Sequence, residues 1–212
     1  ISIDSSARNE FNIDFDLMES KINANTKLII LNSPNNPTGK IINRKELESI
    51  ANILRKHSNI FVMTDEIYEH LLAEGEAHLS LAAIAPDLQN RIFTVNGFAK
   101  SWAMTGWRVG YLSGSKEIIK AASDLQSQST SNVCSFAQRG ALAAIEGPRD
   151  CIDYMVEKYN HRRNLLVKGL KEIKELKLIS PKGAFYAFPQ IPISGIKSIQ
   201  FCKRALEDFG LA

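Results

Sequence analysis

Five side chains with the chemistry to act on a small molecule follow the ends of apolar, strand-like runs. One lies in "NSPNNPTG", two lie in "TDEIY" and two lie in "NGFAKSWAMTGWRVGY". In an open α/β sheet, ligands bind beyond the carboxyl ends of the strands, where such side chains meet. We therefore expect one binding site at this edge of the sheet. Its candidate residues are Asn36, Asp65, Tyr68, Lys100 and Arg108.

Each candidate also has a plainer interpretation. "NNPTG" has the composition of an ordinary turn, and Asp65 could cap a helix that follows it. Lys100 and Arg108 could be solvent-facing loop cations, Tyr68 could be an aromatic at the rim of a pocket, and the two tryptophans nearby are expected to pack. Taken singly, no residue distinguishes a binding site from these alternatives. The joint pattern at successive strand ends favours the site.

Four short apolar runs predict the strands that position these residues. They are "TKLIILNSP", "NIFVMTDE", "RIFTVNGF" and "RVGYLSG". Between the first two, "NRKELESIANILRKH" has the spacing of an amphipathic helix, and Asn43 and Glu46 are placed to form a capping box at its start. Apolar strands separated by helices are typical of an α/β fold whose mostly parallel sheet has helices on both faces. The connection between the last two strands is short, so we expect one of them to run antiparallel.

Helical patterns dominate the chain after Ser115. Three helical segments, of which the last is long and amphipathic, are followed by "LKLISPKGAFYAFPQI", which predicts two short strands around Pro181–Gly183, and then by a final helix. We place a domain boundary near Gly147–Pro148. Residues 1–147 are expected to form a large domain, and residues 148–212 the start of a smaller α+β domain.

Composition excludes several classes of protein. The 212 residues are 44% hydrophobic and 23% charged, which is typical of a globular chain, and the net charge of +3 is too small to favour nucleic acid or an anionic membrane as partner. No apolar run reaches the roughly 18 residues of a membrane span. The three cysteines are far apart and show no metal-ligand spacing, so we expect buried thiols in a reducing cytoplasm, with no metal site.

Four motifs, in one order along the chain, carry a resemblance to a known family. "SPNNPTG", "TDEIYEHL", "NGFAKSWAMTGWRVGY" and "PKGAFYAFP" resemble the class I/II aminotransferases of the pyridoxal-phosphate fold-type I superfamily. The aspartate aminotransferase subgroup of bacteria and photosynthetic lineages is the most similar. The resemblance covers essentially the whole sequence and implies the large domain of fold-type I followed by the start of the small domain.

The resemblance implies a role for each candidate residue around pyridoxal 5'-phosphate. Lys100 corresponds to the lysine that bonds covalently to the cofactor and then moves a proton as general base and acid. Asp65 corresponds to the carboxylate that pairs with the pyridine nitrogen, so that the ring can accept electrons. Asn36 and Tyr68 correspond to the hydrogen-bond donors of the phenolic oxygen. Arg108 corresponds to the arginine that holds the phosphate with its planar fork.

The sequence also departs from the family pattern. Gly97 stands three residues before Lys100, where many relatives carry a phosphate-binding serine, so the phosphate is expected to bind backbone amides or Ser101. The family's glycine-rich phosphate loop and the aromatic residue that stacks on the ring would precede Ile1, and the arginine for the substrate α-carboxylate would follow Ala212. We therefore expect the chain to be the central part of a longer enzyme, poorly soluble or inactive alone.

The leading hypothesis is an aminotransferase that moves an amino group from aspartate, or a similar amino acid, to a 2-oxo acid such as 2-oxoglutarate. Its partners are expected to be these small molecules and a second copy of itself, because "LQSQSTSNVCSFAQRGALAAI" is apolar on more than one helix face. Three alternatives stay open. They are an aminotransferase for aromatic amino acids or prephenate, another fold-type I enzyme such as a β-lyase, and a non-catalytic aminotransferase-like module of a regulator.

Overall fold

A four-stranded sheet lies at the centre of the computed structural model, which describes residues 9–191 and 195–211. The strands follow one another in space as they do in the chain, in the order β1 (Leu28–Asn32), β2 (Phe61–Asp65), β3 (Ile92–Gly97) and β4 (Gly110–Ser113). β1, β2 and β3 are parallel, and β4 pairs antiparallel with β3. This arrangement confirms the predicted α/β fold with a mostly parallel sheet, including the antiparallel last pair.

Helices connect and follow the strands. They are α1 (Phe15–Lys21), α2 (Arg44–Lys56), α3 (Leu81–Ile84), α4 (Lys116–Ser129), α5 (Ser135–Glu146), α6 (Asp150–Glu172) and α7 (Ser198–Phe209), with 3₁₀ turns at Pro86–Arg91 and Thr105–Trp107. Within the described residues, no helix combines the length and the apolar character needed to cross a membrane.

Helix α2 covers one face of the sheet. Its capping box is formed as predicted, with the Asn43 side chain accepting from the Glu46 N–H at 3.1 Å and the Glu46 carboxylate accepting from the Asn43 N–H at 2.9 Å. Ile50 and Leu54 on its inner face are fully buried, together with Val62 of β2. Burial of each such side chain stabilises the fold by about 1.5–3 kcal/mol. This core holds the strands whose carboxyl ends carry the candidate residues.

The opposite face of the sheet is more open. Leu28 and Ile30 alternate with the residues that face α2, and they are 45% and 64% exposed. Towards β3 this face is closed, because Phe61 and Phe93 stack at 5.5 Å and Phe93 is buried. The predicted helical cover is therefore present on the face of α2, while the β1 end of the other face is exposed in the described residues.

The two short strands predicted in the later part of the chain do not form. Within the described residues, the segment around Pro181–Gly183 forms no strand pair; it makes isolated bridges, Leu72 with Gly183 and Lys177 with Gln190. Its backbone bonds instead to loops, for example from the Ala184 N–H to the Leu71 carbonyl at 2.8 Å. The domain boundary near residue 147 stays a prediction.

The expected buried thiols are also wrong. The three cysteines, Cys134, Cys151 and Cys202, are all exposed and free. Cys134 precedes the first residue of α5, Cys151 lies in the first turn of α6 and Cys202 lies on α7. These positions lie at helix ends or on a helix with no buried residue, which explains why the low polarity of cysteine did not lead to burial.

The capping box gives a first stability prediction. Asn43→Ala removes the acceptor of the Glu46 N–H, so we expect the free energy of unfolding to fall by about 1 kcal/mol in a denaturant titration. Lys45→Ala changes an exposed residue in the same helical turn and is the matched control, with an expected change within about 0.5 kcal/mol. Equal losses in the two variants would contradict a specific role for the cap.

Candidate active site

Asp65 is the last residue of β2 and lies at the carboxyl edge of the sheet. Its register partners are Asn32 on β1 and Val95 on β3. One carboxylate oxygen accepts the Ile67 N–H at 3.1 Å, so the predicted capping contact exists, but it closes a turn rather than a helix. Among the described residues, no hydrogen bond or ion pair uses the other oxygen. Half of this carboxylate therefore remains available to a ligand.

Asn32 ties the loop that follows β1 to Asp65. Its amide donates to the Asp65 backbone carbonyl at 3.1 Å, and its side-chain oxygen accepts the Asn36 N–H at 2.8 Å. Asn36 is itself exposed at the surface of this loop. The "SPNNPTG" loop is thus held at a fixed position relative to the end of β2, and its amide side chain faces the site.

Tyr68 follows Asp65 by one turn and is 3% exposed. Its hydroxyl lies 2.6 Å from the Tyr186 hydroxyl, and the Asn36 side chain is near enough to lower the pKa of Tyr68. Burial is the main cause that raises the pKa of Tyr68 well above its ordinary value. The phenol therefore keeps its proton at neutral pH and can donate a hydrogen bond to a ligand.

Lys100 follows β3 and is half-buried between aromatic rings. Its Nζ lies 5.7 Å from the centroid of the Tyr68 ring and 5.4 Å from that of Phe185, both within the range of cation–π contact. In the described residues, Lys100 makes no ion pair. A primary amine held beside a phenol and without a carboxylate partner is well placed to react with a carbonyl compound.

The same loop contains a polar atom that no protein group satisfies. Ser101 is 1% exposed, and its hydroxyl has no hydrogen-bond partner among the described residues. Buried hydroxyls normally have a partner, so this one suits a ligand oxygen. Gly97, in contrast, leaves no room for a side chain, because a Cβ there would lie 2.9 Å from the Gly110 Cα and the Val109 carbonyl oxygen.

Arg108 is not brought into contact with the other candidates. It has a left-handed backbone (φ 55°), is exposed, and donates to the Thr105 carbonyl at 3.0 Å. The structure therefore groups Asn36, Tyr68 and Lys100, with Asp65 near enough for its charge to raise the pKa of Tyr68. The predicted phosphate contact of Arg108 stays a prediction.

The sequence analysis quoted "PKGAFYAFP" as a motif but assigned no role to its aromatic residues. In the structure, Phe185 packs edge-on against Tyr68 at 5.4 Å between ring centroids, and Tyr186 packs against the same ring at 5.8 Å. Tyr159 of α6 stacks on the other side of Phe185 at 5.4 Å. No local pattern predicts these contacts, since Tyr68 and Tyr186 are 118 residues apart in the chain.

Backbone hydrogen bonds place this aromatic segment on the site. The Lys182 and Gly183 N–H groups both donate to the Gly39 carbonyl, at 2.9 and 3.0 Å. The Arg163 side chain of α6 donates to the Pro181 carbonyl at 2.7 Å. Gly39 adopts a left-handed conformation (φ 69°), and a Cβ on it would overlap the Pro181 ring. The close approach of the two loops therefore requires glycine at position 39.

A buried polar cluster that sequence analysis missed supports the turn after β2. Glu66 is 4% exposed, lies 3.1 Å from His78 Nε2, and accepts from the Ser80 hydroxyl at 2.8 Å. Glu66, Glu69 and His78 bring potential metal-ligand atoms within 4.8 Å of one another. Hydrogen bonds from protein side chains already engage both carboxylates. We interpret the cluster as an anchor for the turn, and the absence of a metal site stays a prediction.

The donor set fits pyridoxal phosphate on four points. Lys100 offers an amine, Tyr68 a protonated phenol, Asp65 a free carboxylate oxygen, and Ser101 an unsatisfied buried hydroxyl. These groups complement the aldehyde, phenolic oxygen, pyridine nitrogen and phosphate of the cofactor, respectively. The residues present are therefore chemically suited to hold it.

Comparison with known proteins agrees with this chemistry. The sequence profile of the family "Aminotransferase class I and II" matches residues 1–212. A probable aspartate/prephenate aminotransferase of Rickettsia conorii is 48% identical over 180 residues, which cover 85% of this chain and 45% of that protein. The aspartate aminotransferase of Bacillus subtilis is 40% identical over 205 residues, which cover 94% and 52%. The chain thus spans about half the length of the curated relatives it matches.

Solved structures have the same fold. An aromatic aminotransferase from Pyrococcus horikoshii superposes with a TM-score of 0.94 at 34% identity, covering 100% of this chain and 57% of that one. An aspartate aminotransferase from Thermus thermophilus, solved with maleate, superposes with a TM-score of 0.88 at 36% identity, covering 98% and 53%.

The contact between the two loops can be tested with a pair of glycine variants. Gly39 and Gly75 both have left-handed backbones, but a Cβ at Gly75 meets nothing within 4 Å. We expect Gly75→Ala to cost only backbone strain, about 1–2 kcal/mol of unfolding free energy. Gly39→Ala should cost about 1–3 kcal/mol more, because the added methyl group forces the Pro181 segment away. Denaturant titration of both variants measures the difference, and equal costs would show that the loops do not press together there.

Proposed function

Because the chain belongs to the class I and II aminotransferases, we propose that the protein it forms part of is a pyridoxal 5'-phosphate-dependent aminotransferase. The observation that carries this proposal is the grouping of the Lys100 amine and the protonated Tyr68 hydroxyl beside Asp65 at the carboxyl edge of the sheet. The reaction moves an amino group from an amino acid to a 2-oxo acid.

We propose aspartate, or a similar dicarboxylic amino acid, as the amino donor and a 2-oxo acid such as 2-oxoglutarate as the acceptor. Relatives named for aspartate and a relative solved with maleate, which is a dicarboxylate, support this choice. Prephenate is the second candidate for the acceptor, because a relative at 48% identity carries aspartate/prephenate in its name. Phe185, 38% exposed beside Lys100, offers an apolar wall to either substrate.

Each residue of the site has one task in this mechanism. When bound, the cofactor supplies an electron sink for negative charge at the substrate Cα. Asp65 would hold a proton at the pyridine nitrogen, since it keeps a free carboxylate oxygen. Tyr68 and Asn36 would supply hydrogen-bond donors to the phenolic oxygen. Lys100 Nζ removes the proton from the substrate Cα and later returns it, and the rings of Tyr68 and Phe185 shield this amine from water.

The wider context of the site is also a proposal. We propose a homodimer, supported by the apolar side chains that α4 and α5 leave exposed, among them Leu125 at 72% and Phe136 at 73%. We further propose a large domain up to residue 147, supported by the break between α5 and α6, and Arg108 as a phosphate ligand. A cytoplasmic location remains an expectation from the spacing of the cysteines.

Borohydride reduction of the intact polypeptide with added pyridoxal phosphate tests the role of Lys100. We expect peptide mapping to find the pyridoxyl group on Lys100, because Lys40 is held by Glu46 at 3.1 Å. Lys100→Ala should lower kcat at least about 10³-fold, since proton transfer by a positioned base contributes 10²–10⁴-fold. The control Lys116→Ala, at the exposed start of α4, should keep kcat. Modification at Lys40 or Lys116 instead would contradict the assignment.

The Asp65→Asn variant tests the charge of Asp65 separately from its hydrogen bond to the Ile67 N–H. Asparagine keeps an oxygen to accept the Ile67 N–H but cannot stabilise a proton on the ring nitrogen. We expect a thermal midpoint close to that of the unchanged protein and a kcat lower by about 10²-fold or more. Asp65→Ala removes both functions and should also lower the thermal midpoint. An Asp65→Asn variant with undiminished kcat would show that Asp65 only stabilises the turn and has no role in catalysis.

A further inference from the structure

The Tyr186 hydroxyl lies within hydrogen-bond distance of Tyr68, a residue of the proposed cofactor site. Neither the family resemblance nor the comparisons give Tyr186 a role. Its hydroxyl is 2.6 Å from that of Tyr68. Resting on the proposed function, we propose that Tyr186 is a positioning residue. Its hydroxyl holds the Tyr68 hydroxyl in place and, when the cofactor is present, donates to it so that the Tyr68 proton is directed at the cofactor's phenolic oxygen.

The number of hydrogen bonds that each hydroxyl can donate and accept leads to this assignment. Each hydroxyl has one proton to donate and can accept two hydrogen bonds. In the described structure either hydroxyl can be the donor. Once the Tyr68 proton is committed to a phenolic oxygen, the 2.6 Å contact can persist only if Tyr186 donates. A phenol that accepts such a bond becomes a stronger donor, because hydrogen bonds in a chain polarise one another.

Backbone hydrogen bonds hold the segment that carries Tyr186 beside the turn that carries Tyr68. The Ala184 N–H donates to the Leu71 carbonyl at 2.8 Å, and the Leu71 N–H donates to the Tyr68 carbonyl at 2.9 Å. Two hydrogen bonds at Leu71 thus connect the backbone of Tyr68 to Ala184, which precedes Tyr186 by two residues. The Phe185 ring contacts both, with its centroid 4.7 Å from that of Tyr186 and 5.4 Å from that of Tyr68. This packing fixes both rings, so that the remaining freedom is the rotation of the hydroxyls.

The burial of Tyr68 gives a chemical reason for the Tyr186 hydroxyl beside it. Tyr68 is 3% exposed, and a buried phenol without partners is costly when no cofactor is bound. Tyr186 satisfies it in that state by accepting a hydrogen bond from the Tyr68 hydroxyl, which contributes to the raised pKa of Tyr68 after the larger effect of burial. The same hydroxyl then serves as donor in the loaded state, because it can turn without any movement of the ring.

The first experiment tests the hydrogen bond between Tyr68 and Tyr186 in the absence of cofactor. In the intact polypeptide labelled with carbon-13 in its tyrosine rings, the Tyr68 signal is assigned by its loss in Tyr68→Phe, and its pH titration is followed by NMR. We expect Tyr186→Phe to lower the pKa of Tyr68 while leaving it above the ordinary value, since burial remains. Tyr159→Phe is the matched control, because it removes a hydroxyl from the same aromatic group without touching Tyr68. An unchanged Tyr68 titration in Tyr186→Phe would overturn the proposal.

The second experiment uses added pyridoxal phosphate and reads the pH midpoint of the absorbance change of the bound cofactor. A donor to the phenolic oxygen stabilises its negative charge and lowers that midpoint. We expect Tyr186→Phe to raise the midpoint by about 0.5 pH unit. Tyr68→Phe should raise it further and Tyr159→Phe should leave it unchanged. The ring is retained in every variant, so loss of folding does not confuse the comparison.

The two proposals fail in different ways. If the unchanged protein binds no pyridoxal phosphate, the proposed function fails, and the role of Tyr186 fails with it whatever the NMR result. If the cofactor binds and Tyr186→Phe has the midpoint of the unchanged protein, the proposed function stands and only the inference about Tyr186 is overturned.

Discussion

The backbone carbonyl of Asp65 is the acceptor on which the site depends. It receives the Ser33 N–H and the Asn32 side-chain amide, both at 3.1 Å, and so joins the carboxyl ends of β1 and β2. Through Asn32 this junction also fixes the Asn36 loop, and the same loop ends at Gly39, which accepts two N–H groups of the "PKGAFY" segment. One strand end therefore determines the position of three chain segments that surround Lys100.

The site shows how weak, separate contacts can prepare a reactive amine. The aromatic rings around Lys100 remove water without offering a carboxylate that would hold the ammonium ion. The buried carboxylate nearby, Glu66, is engaged by His78 and Ser80 instead. Asp65, at the end of β2, keeps one carboxylate oxygen without a hydrogen bond among the described residues. The geometry thus separates the carboxylates that stabilise the turn from the one available for chemistry.

Sequence analysis succeeded where the controlling interactions are local. The strands follow from short apolar runs, and α2 and its capping box from residues three or four positions apart, and all were found with nearly correct limits. The grouping of Tyr68 and Lys100 followed from the general rule for strand ends. The contacts of Tyr186, the exposure of Cys202 and the missing strands near Pro181 could not be predicted, because each depends on which distant loop or solvent faces the residue.

The distance in sequence between Tyr68 and Tyr186 has a consequence for the order in which the protein is made. The two hydroxyls are separated by 118 residues, which a ribosome adds in about 6–24 s at 5–20 residues per second. Late in that interval, once β4 (Gly110–Ser113) has been added, β1 to β4 can already pair, while the aromatic wall beside Lys100 is still missing. The nascent chain therefore passes through a stage with a formed sheet and an unfinished pocket, and it is at this stage that a chaperone would find exposed rings to bind.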